Sequence, residues 1–293
     1  MIDDGLRSSQ NKFTDLEETI FTPSIDFIPV VIRRFITLVL YFHCGITYPV
    51  DKDTARRLLP SWCVVLLCIA DLIDAYRQVP VSCRDLCLNI VAIWVAQEGW
   101  RFLQMIGSLF GFASSVVNFC RLPALCVAMS IRFMSVPACA FFDDNLSIAI
   151  ASAAATALKA QEAAFAAVSA EFAKEKCFPF GPTRIFIGLA VTTAWISEGE
   201  LPVSPKPGLR SKIDYQLQEV IDQNELGPGR ASKIKGQLGW SASSTAGRWG
   251  RLGLRVLSER QYSTDGDTSI HAHLGVLCLL RSIVVTLSTF PST

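Results

Sequence analysis

The residues with the clearest capacity for chemistry are aspartates in two short segments. "ADLIDAY" contains Asp71 and Asp74, and "FFDDN" contains Asp143 and Asp144. Each segment follows an apolar run typical of a buried strand, where a carboxylate is costly unless it is paired, solvated or bound to a metal. If the two strands are neighbours in one sheet, three of these carboxylates meet at one edge. The sequence therefore predicts that Asp71, Asp143 and Asp144 form a divalent-cation site there.

Such a cluster favours phosphoryl transfer. Hard oxygen ligands suit Mg²⁺, with Mn²⁺ as a substitute, and two ions can activate an attacking hydroxyl and stabilise a leaving pyrophosphate. Taken singly, each motif also has an ordinary structural explanation, because aspartates are common in turns and at helix caps. Adjacent strand residues point to opposite faces, so Asp143 and Asp144 can approach one site only from a turn. We therefore expect a tight turn over residues 143–145.

The strands that must position these residues can be predicted from hydrophobic patterns. "WCVVLLCIA" predicts a central strand, buried on both faces, that stops at Asp71. Single strands are also expected in "VPACAFFDD", "NLSIAIA" and "TRIFIGLAV". The segment "LCLNIVAIWVAQEGWRFLQMI" predicts a hairpin around residues 97–99.

Helices are expected in five stretches. They cover residues 51–59, 115–133, 152–176 and 209–223, and the stretch from the Gly-Pro-Gly break at 227–229 through Arg260. Pro123 should kink or shorten the second of these helices. Because the chain changes in character after "LPV", we place a domain boundary near Ser204.

The composition is apolar enough to require a membrane test. Of the 293 residues, 51% are hydrophobic and 18% are charged, and the mean hydropathy is +0.36. The longest uncharged run, residues 102–120, just reaches spanning length but contains Gln, Asn, Ser and Gly. An integral membrane protein is therefore the least favoured interpretation, and we expect no membrane partner. The N-terminus is polar and acidic without a secretory signal, so an intracellular location, cytoplasm or nucleus, is expected.

The distribution of charge is more informative than its sum. The net charge is +1, yet residues 1–203 carry 16 basic and 19 acidic side chains, whereas residues 204–260 carry 10 basic and 5 acidic ones. The second stretch is therefore a basic segment on an otherwise balanced chain, as expected for contact with a nucleic-acid backbone.

Several motifs together resemble those of reverse transcriptases. "ADLIDAYRQVPV" resembles motif A, "SLFGFASSVVNF" resembles motif B, and "FFDD" resembles motif C. "AKEKCFPFGPTRIFIGLAV" is similar to the lysine of motif D and its following strand, and all four occur in family order. "MIDDGLRS" resembles the end of the fingers strand, and "ASKIKGQLGWSASSTAGRWGRLGLR" is similar to the basic thumb of one retroelement branch.

This resemblance implies a fold and an activity. The fold would be α+β, a right-hand polymerase palm (an antiparallel sheet with helices on one face) plus a helical thumb. Residues 1–203 would form partial fingers and palm, and residues 204–293 a thumb or connection-like region. The chain would be an RNA-directed DNA polymerase of a retrotransposon-like element, which adds dNTPs to a primer on an RNA or DNA template.

The resemblance also implies roles at the catalytic centre. Asp71 and Asp143 would be the principal ligands of two Mg²⁺ ions, with Asp144 a weaker neighbour. A second set would bind the incoming dNTP: the backbone amides of Asp74 and Ala75, the ring of Tyr76 as a steric gate against a 2′-hydroxyl, Gly111 where backbone must approach closely, and Lys174 or Lys176 beside the leaving phosphates.

A third set would bind nucleic acid. Gln78 would contact the strand or template. Basic side chains would hold the primer-template backbone without regard to sequence, namely Lys206, Arg210, Lys233, Lys235, Arg248 and Arg251.

Some features depart from the family pattern. Motif B carries Leu109 in place of its usual proline. The chain begins at what resembles the end of the fingers, and no RNase H or integrase segment is recognisable. A catalytically inactive nucleic-acid-binding fragment is therefore the alternative hypothesis. The aromatic residue before Asp143 disfavours a viral RNA-dependent RNA polymerase, whose motif C usually carries Gly there, and the sequence predicts no oligomeric state.

Overall fold

The computed structural model of the chain describes residues 27–45, 52–243, 251–263 and 268–286. Within these ranges the chain is a mixture of helices and antiparallel strands, which form two compact units. In their described parts, the first unit takes in Phe27 and residues 62–181, and the second takes in residues 28–45, 52–61, 182–243, 251–263 and 268–286. Residues 182–203, which precede the expected boundary near Ser204, thus belong by their contacts to the second unit.

The elements in chain order are α1 (Phe27–Cys44), α2 (Lys52–Leu58), β1 (Val65–Asp71), β2 (Ile90–Val95), β3 (Gly99–Gln104), α3 (Ala113–Arg132), β4 (Ala138–Phe141), β5 (Asp144–Ile150), α4 (Ala154–Ala166), β6 (Phe178–Gly181), β7 (Thr183–Phe186), β8 (Leu189–Thr192), β9 (Val203–Pro205), α5 (Leu209–Gln223), α6 (Pro228–Ser243), α7 (Arg251–Gln261) and α8 (Leu274–Thr286).

The first unit is built on a four-stranded antiparallel sheet with the strand order β4-β5-β1-β6. The predicted central strand is confirmed, because β1 pairs with β5 on one side and β6 on the other and is almost wholly buried. Its register sets Asp71 opposite Asp144, and the pairing of β4 with β5 sets Phe141 opposite Asp144. The two aspartate segments, "ADLIDAY" and "FFDDN", therefore lie side by side at one edge of this sheet.

The turn between β4 and β5 differs from the prediction. It consists of Phe142 and Asp143, and Asp144 is already the first residue of β5. Phe142 adopts a left-handed φ of 54°, which is uncommon for an aromatic residue. Its ring packs against a buried cluster that includes Leu72 and Phe119. This burial fixes the turn one residue earlier than the turn propensities of Asp and Asn indicate.

The hairpin of β2 and β3 is confirmed as predicted, with Val95 opposite Gly99. Helix α3 runs from Ala113 to Arg132, so Pro123 does not shorten it, and the alternative of a kink stays a prediction. The proline is tolerated because Phe119 and Cys126, seven residues apart on one face, are both fully buried in the first unit's core. Within the described residues, one helical segment, Ser114–Arg132, is long and apolar enough to cross a membrane by length and composition, and it contributes these core residues.

The alanine-rich helix is much shorter than the predicted 152–176. Helix α4 ends near Ala166, and Ser169 follows in the left-handed region with a φ of 56°. The N–H of Ala170 donates to the carbonyl of Phe165 at 3.0 Å, and that of Ser169 donates to Ala166 at 3.0 Å. This is the Schellman pattern that ends a helix. The helix stops because Phe165 and Ala170 then lie in one buried cluster.

The second unit contains a three-stranded sheet, β7-β8-β9, and a group of helices. The predicted single strand in "TRIFIGLAV" is a hairpin, because Ile187 and Gly188 both take positive φ and turn the chain. Helix α5 agrees with the predicted range of 209–223. Its buried residues Leu209, Ile213 and Leu217 belong to one apolar core with residues of α6, α7 and α8.

Candidate active site

Three carboxylates converge at the end of β1 in the first unit. Asp71 is its last residue, and Asp144 lies directly opposite on β5, so both side chains project from the same face. Asp143 lies in the adjoining turn, and its carbonyl accepts a hydrogen bond from the N–H of Leu72 at 3.2 Å. The expected meeting of motifs A and C at one sheet edge is thus present.

Burial shapes the electrostatics of this cluster. Asp71 is only 8% exposed, and its Oδ1 atom is buried without a hydrogen-bond partner. Burial raises the pKa of Asp143, and repulsion from Asp71 raises it further. Burial and then repulsion from Asp143 and Asp71 raise the pKa of Asp144 to about 6. Burial and mutual repulsion therefore oppose the ionisation of Asp143 and Asp144.

One lysine reaches these carboxylates. The Nζ atom of Lys176 donates a hydrogen bond to Oδ2 of Asp71 at 2.6 Å, and this bond raises the pKa of Lys176. The side chain of Lys176 is still 59% exposed. Lys174, the other lysine expected beside the leaving phosphates, is exposed, and its side chain contacts no acceptor among the described residues. Of the two lysines left open by the motif D resemblance, the geometry brings Lys176 to the cluster.

The donor set fits a divalent cation only in part. Among the described residues, no group of three or more His, Cys, Asp or Glu side chains is arranged to hold a metal ion. One oxygen of Asp71 is taken by Lys176, whereas the other is buried and free. Mg²⁺ usually binds one or two carboxylates together with water and substrate phosphates. Asp71 and Asp143 therefore suit a site that substrate completes.

The backbone after β1 is unusual. Asp74 and Ala75 take consecutive left-handed conformations, with φ of 49° and 34°, at the start of a 3-10 turn over Ala75–Gln78. Non-glycine residues hold such conformations only where the surroundings enforce them, often at functional sites. The N–H groups of Asp74, Ala75 and Tyr76 meet no acceptor in the part of the chain that is described. They form a run of free donors close to the carboxylates.

The ring of Tyr76 packs against two phenylalanine rings. Its ring lies edge-on to Phe110, with centroids 4.7 Å apart, and packs against Phe119 at 4.6 Å. Burial raises the pKa of Tyr76, with further contributions from Cys120 and Asp143. These contacts hold the ring in place beside the carboxylates at the end of β1.

Two glycines line this region. Gly111 adopts a φ of 88°, a conformation that favours glycine. A close backbone approach occurs at Gly107, which the sequence analysis missed. A Cβ atom there would lie 2.8 Å from the Cα of Arg77 and closer still to its carbonyl oxygen. Gly107 permits the segment after β3 to pair with residues 79–81, since Val81 donates to Ile106 and Ser108 donates to Val79.

Gln78 is engaged within the protein. Its Oε1 accepts from the N–H of Glu171 at 2.8 Å, and its Nε2 donates to the carbonyl of Glu171 at 2.9 Å and to that of Ile73. Both polar atoms are thus bonded to backbone in this structure, and the expected contact of Gln78 with the strand or template stays a prediction.

The predicted basic residues of the second unit fall into three groups. Lys206 and Lys233 are exposed and Arg210 is half-buried, each without a side-chain partner among the described residues. Lys235 is held internally, because its Nζ donates to Ser258 at 2.8 Å and to Gln261 at 3.1 Å. Outside the described residues lie Arg248, the side chain of Arg251 and the segment "MIDDGLRS".

Solved structures share this fold. Similarity is found to the foamy viral protease-reverse transcriptase dRH in complex with double-stranded DNA, at 13% identity and a TM-score of 0.52, over 82% of this chain and 42% of that one. The same viral protein in complex with an RNA/DNA hybrid matches at 12% identity and a TM-score of 0.54, over 80% and 31%. In complex with double-stranded DNA it matches at 13% and 0.52, over 95% and 48%.

The class is thereby defined at the level of the fold: the chain has a reverse-transcriptase-like fold. It spans between 31% and 48% of the length of those viral chains. No protein-family model and no curated protein sequence matches it.

Proposed function

We propose that the chain is an RNA-directed DNA polymerase domain that adds dNTPs to a primer 3′-OH by two-metal phosphoryl transfer. The observation that carries the proposal is the convergence of Asp71, Asp143 and Asp144 at one edge of an antiparallel sheet. Its setting in a reverse-transcriptase-like fold supports the same activity. The foamy viral structures contain double-stranded DNA or an RNA/DNA hybrid, and we propose the same partners here.

In this proposal Asp71 and Asp143 hold two Mg²⁺ ions, with Asp144 a weaker neighbour. When bound, the ions would activate the primer hydroxyl and neutralise charge on the phosphates. The free oxygen of Asp71 is already directed into a buried position where it lacks a partner. The pKa values of Asp143 and Asp144 are raised, so a cation bound beside them would stabilise their ionised forms.

The nucleotide would be bound by groups next to the carboxylates. The free N–H groups of Asp74, Ala75 and Tyr76 are donors suited to triphosphate oxygens, as in other backbone anion sites. Lys176 would leave Asp71 and face the phosphates as charge develops on the leaving group. Tyr76, fixed by Phe110, would exclude a 2′-hydroxyl and so select deoxynucleotides.

We further propose that residues 1–203 act as partial fingers and palm and residues 204–293 as a thumb. The exposed basic residues Lys206 and Lys233, with Arg210, would contact the phosphate backbone. Arg248 and Arg251 stay predicted contacts of the same kind. A retrotransposon-like origin and an intracellular location belong to the same proposal.

A catalytically inactive nucleic-acid-binding protein is the second candidate. It is favoured by the pairing of Lys176 with Asp71 and by the absence of a three-residue metal group among the described residues. In this case the lysine would be a permanent replacement for the cation.

Primer extension on an RNA template separates the two candidates. Purified protein is incubated with primer, Mg²⁺ and either dNTPs or rNTPs, beside the variant with Asp143→Asn and Asp144→Asn. The polymerase proposal expects dNTP-dependent synthesis that the variant loses, while both proteins retain primer-template binding. Binding by a folded wild-type protein without synthesis in Mg²⁺ or Mn²⁺ would favour the inactive candidate, and a preference for rNTPs would overturn the assignment to DNA synthesis.

A further inference from the structure

The side chain of Gln78 imitates a strand backbone. Its amide both donates to and accepts from the main chain of Glu171, at 2.9 and 2.8 Å, across 93 residues of sequence. A third hydrogen bond runs to the carbonyl of Ile73. One side chain thus joins the turn after β1 to the segment after α4.

The joined segment runs beside the end of β1 and continues to the lysine. Ile73 donates to the carbonyl of Glu171 at 3.0 Å, Leu72 and Phe172 form an isolated bridge, and Ala173 donates to the carbonyl of Asp71 at 2.8 Å. The chain then turns, since Lys176 donates from its backbone to Ala173 at 2.8 Å. Gln78 completes the outer end of this short ladder, whose inner end lies at Asp71.

The ladder decides where the ammonium group lies. The side chain of Lys176 is more than half exposed, and an exposed ion pair is by itself too weak to hold a long side chain in one place. Segment 169–173 lies outside any helix or named strand. Its position depends on the packing of Ala170 and Phe172 in the buried cluster and on hydrogen bonds to β1 and to Gln78. Lys174, two residues before Lys176 in the chain, reaches no carboxylate.

We propose that Gln78 is a positioning residue: its amide holds residues 171–176 against β1 and thereby places the Lys176 ammonium at the Asp71 carboxylate. The catalytic consequence rests on the proposed polymerase function, whereas the placement does not. Gln78 acts on chemistry only through Lys176 and touches neither nucleotide nor template.

Lysine labelling tests the placement without any activity. Wild type, Gln78→Leu, Gln78→Glu and Gln104→Leu are treated with an amine-reactive ester at pH 8, and the labelling rates of Lys176 and Lys174 are compared by mass spectrometry. Gln104 is exposed on β3, outside this network, and so is the matched control. We expect Gln78→Leu to raise the Lys176 rate about three-fold to ten-fold relative to Lys174, with Gln104→Leu unchanged. An unchanged Lys176 rate in folded Gln78→Leu would overturn the proposal.

Two further readouts keep the test decisive if Gln78→Leu does not fold. Gln78→Glu retains the acceptor for Glu171 but loses both donated bonds, so we expect an intermediate Lys176 rate, and a wild-type rate would contradict the proposal. In wild-type protein, amide exchange at Glu171 should be slow because its N–H is bonded to Gln78, and rapid exchange there would also overturn it.

A double-mutant cycle tests the catalytic consequence. In primer extension, Gln78→Leu should lower kcat in the wild-type background. In the Lys176→Met background, the same substitution should lower kcat by less than about two-fold. Independent, multiplying losses would overturn action through Lys176. If the labelling result holds but neither wild type nor any variant synthesises DNA, the placement of Lys176 by Gln78 stands and the polymerase proposal fails.

Discussion

The Nζ atom of Lys176 lies 2.6 Å from Oδ2 of Asp71, the last residue of the central strand. This pair joins the two segments that resemble motifs A and D, 105 residues apart in sequence. It places a cation beside Asp143 and Asp144, whose pKa values stay raised by burial and by repulsion between the carboxylates. The same contact supports both candidate functions, as a mobile catalytic cation or as a permanent substitute for a metal.

The two lysines give a matched pair of substitutions. Lys176→Met should reduce the rate of nucleotide addition by roughly 10²-fold, because it removes a positive charge next to the reacting phosphates. Lys174→Met should change the rate less than about two-fold, because its exposed side chain reaches no carboxylate. Single-turnover incorporation measured for both variants checks this. Equal losses in the two variants would refute the choice of Lys176.

Asp144 should make stability depend on pH. Its pKa of about 6 lies above the ordinary 3.8, so the native state binds more protons than the unfolded chain between about pH 4 and 6. Stability therefore falls as the pH rises through that window. Asp144→Asn removes the cost of ionisation, and the variant should melt on the order of 2–4 °C above wild type at pH 7.5, a modest gain because the carboxyl is partly solvated.

Thermal unfolding in chelator from pH 4 to pH 8 measures this effect. The difference between Asp144→Asn and wild type should shrink toward pH 4, where both carry a neutral side chain at this position. Asp85→Asn, a substitution at an exposed aspartate outside the cluster, is the control. A constant difference for Asp144→Asn at every pH would contradict the burial of its carboxylate.

Gly107 should be more sensitive than its position in a loop indicates. Gly107→Ala drives a Cβ into the backbone of Arg77 and should cost about 1–3 kcal/mol of unfolding free energy, because the pairing of residues 79–81 with 106–108 must shift. Gly236→Ala, in helix α6 with nothing within 4 Å of the new methyl, should instead stabilise by about 0.5–1 kcal/mol. Urea unfolding measures both, and a neutral Gly107→Ala would contradict the close approach.

Much of the scaffold could be predicted from local sequence. The central strand β1 is a continuous apolar run, and the hairpin of β2 and β3 and helix α5 also carry local sequence signals; the bounds of all of them agree with the prediction to within a few residues. These signals are local because each is carried by the order of apolar and polar residues within the element itself. The meeting of Asp71 with Asp143 and Asp144 was also predicted, since it needs only that two strands be neighbours.

The remainder depended on contacts distant in sequence. Because the ring of Phe142 packs into the core, the β4–β5 turn lies one residue earlier than predicted. Because one face of α3 is buried, the helix continues through Pro123. No local signal distinguishes Gln78 as a clamp on Glu171, 93 residues away, or Lys176 from Lys174. Gly107 was missed because a glycine outside any positive-φ turn pattern looks like an ordinary loop residue.

Tyr76 should control the choice of sugar. Tyr76→Val removes the ring that Phe110 and Phe119 hold in place, and it should reduce discrimination against rNTPs by roughly 10–200-fold, with dNTP incorporation less affected. Tyr215→Val, at an exposed tyrosine on α5, is the control. Competing dNTP and rNTP incorporation on one template measures the ratio, and an unchanged ratio would remove Tyr76 from the gate.

The most direct measurement is single-nucleotide incorporation on an RNA-templated primer by Asp71→Asn and by Asp85→Asn. Both substitutions remove one negative charge, but only the first removes a carboxylate of the cluster. We expect a loss of at least about 10²-fold for Asp71→Asn and near wild-type rates for Asp85→Asn. Equal rates in the two variants would contradict the claim that the carboxylates at the end of β1 carry the chemistry.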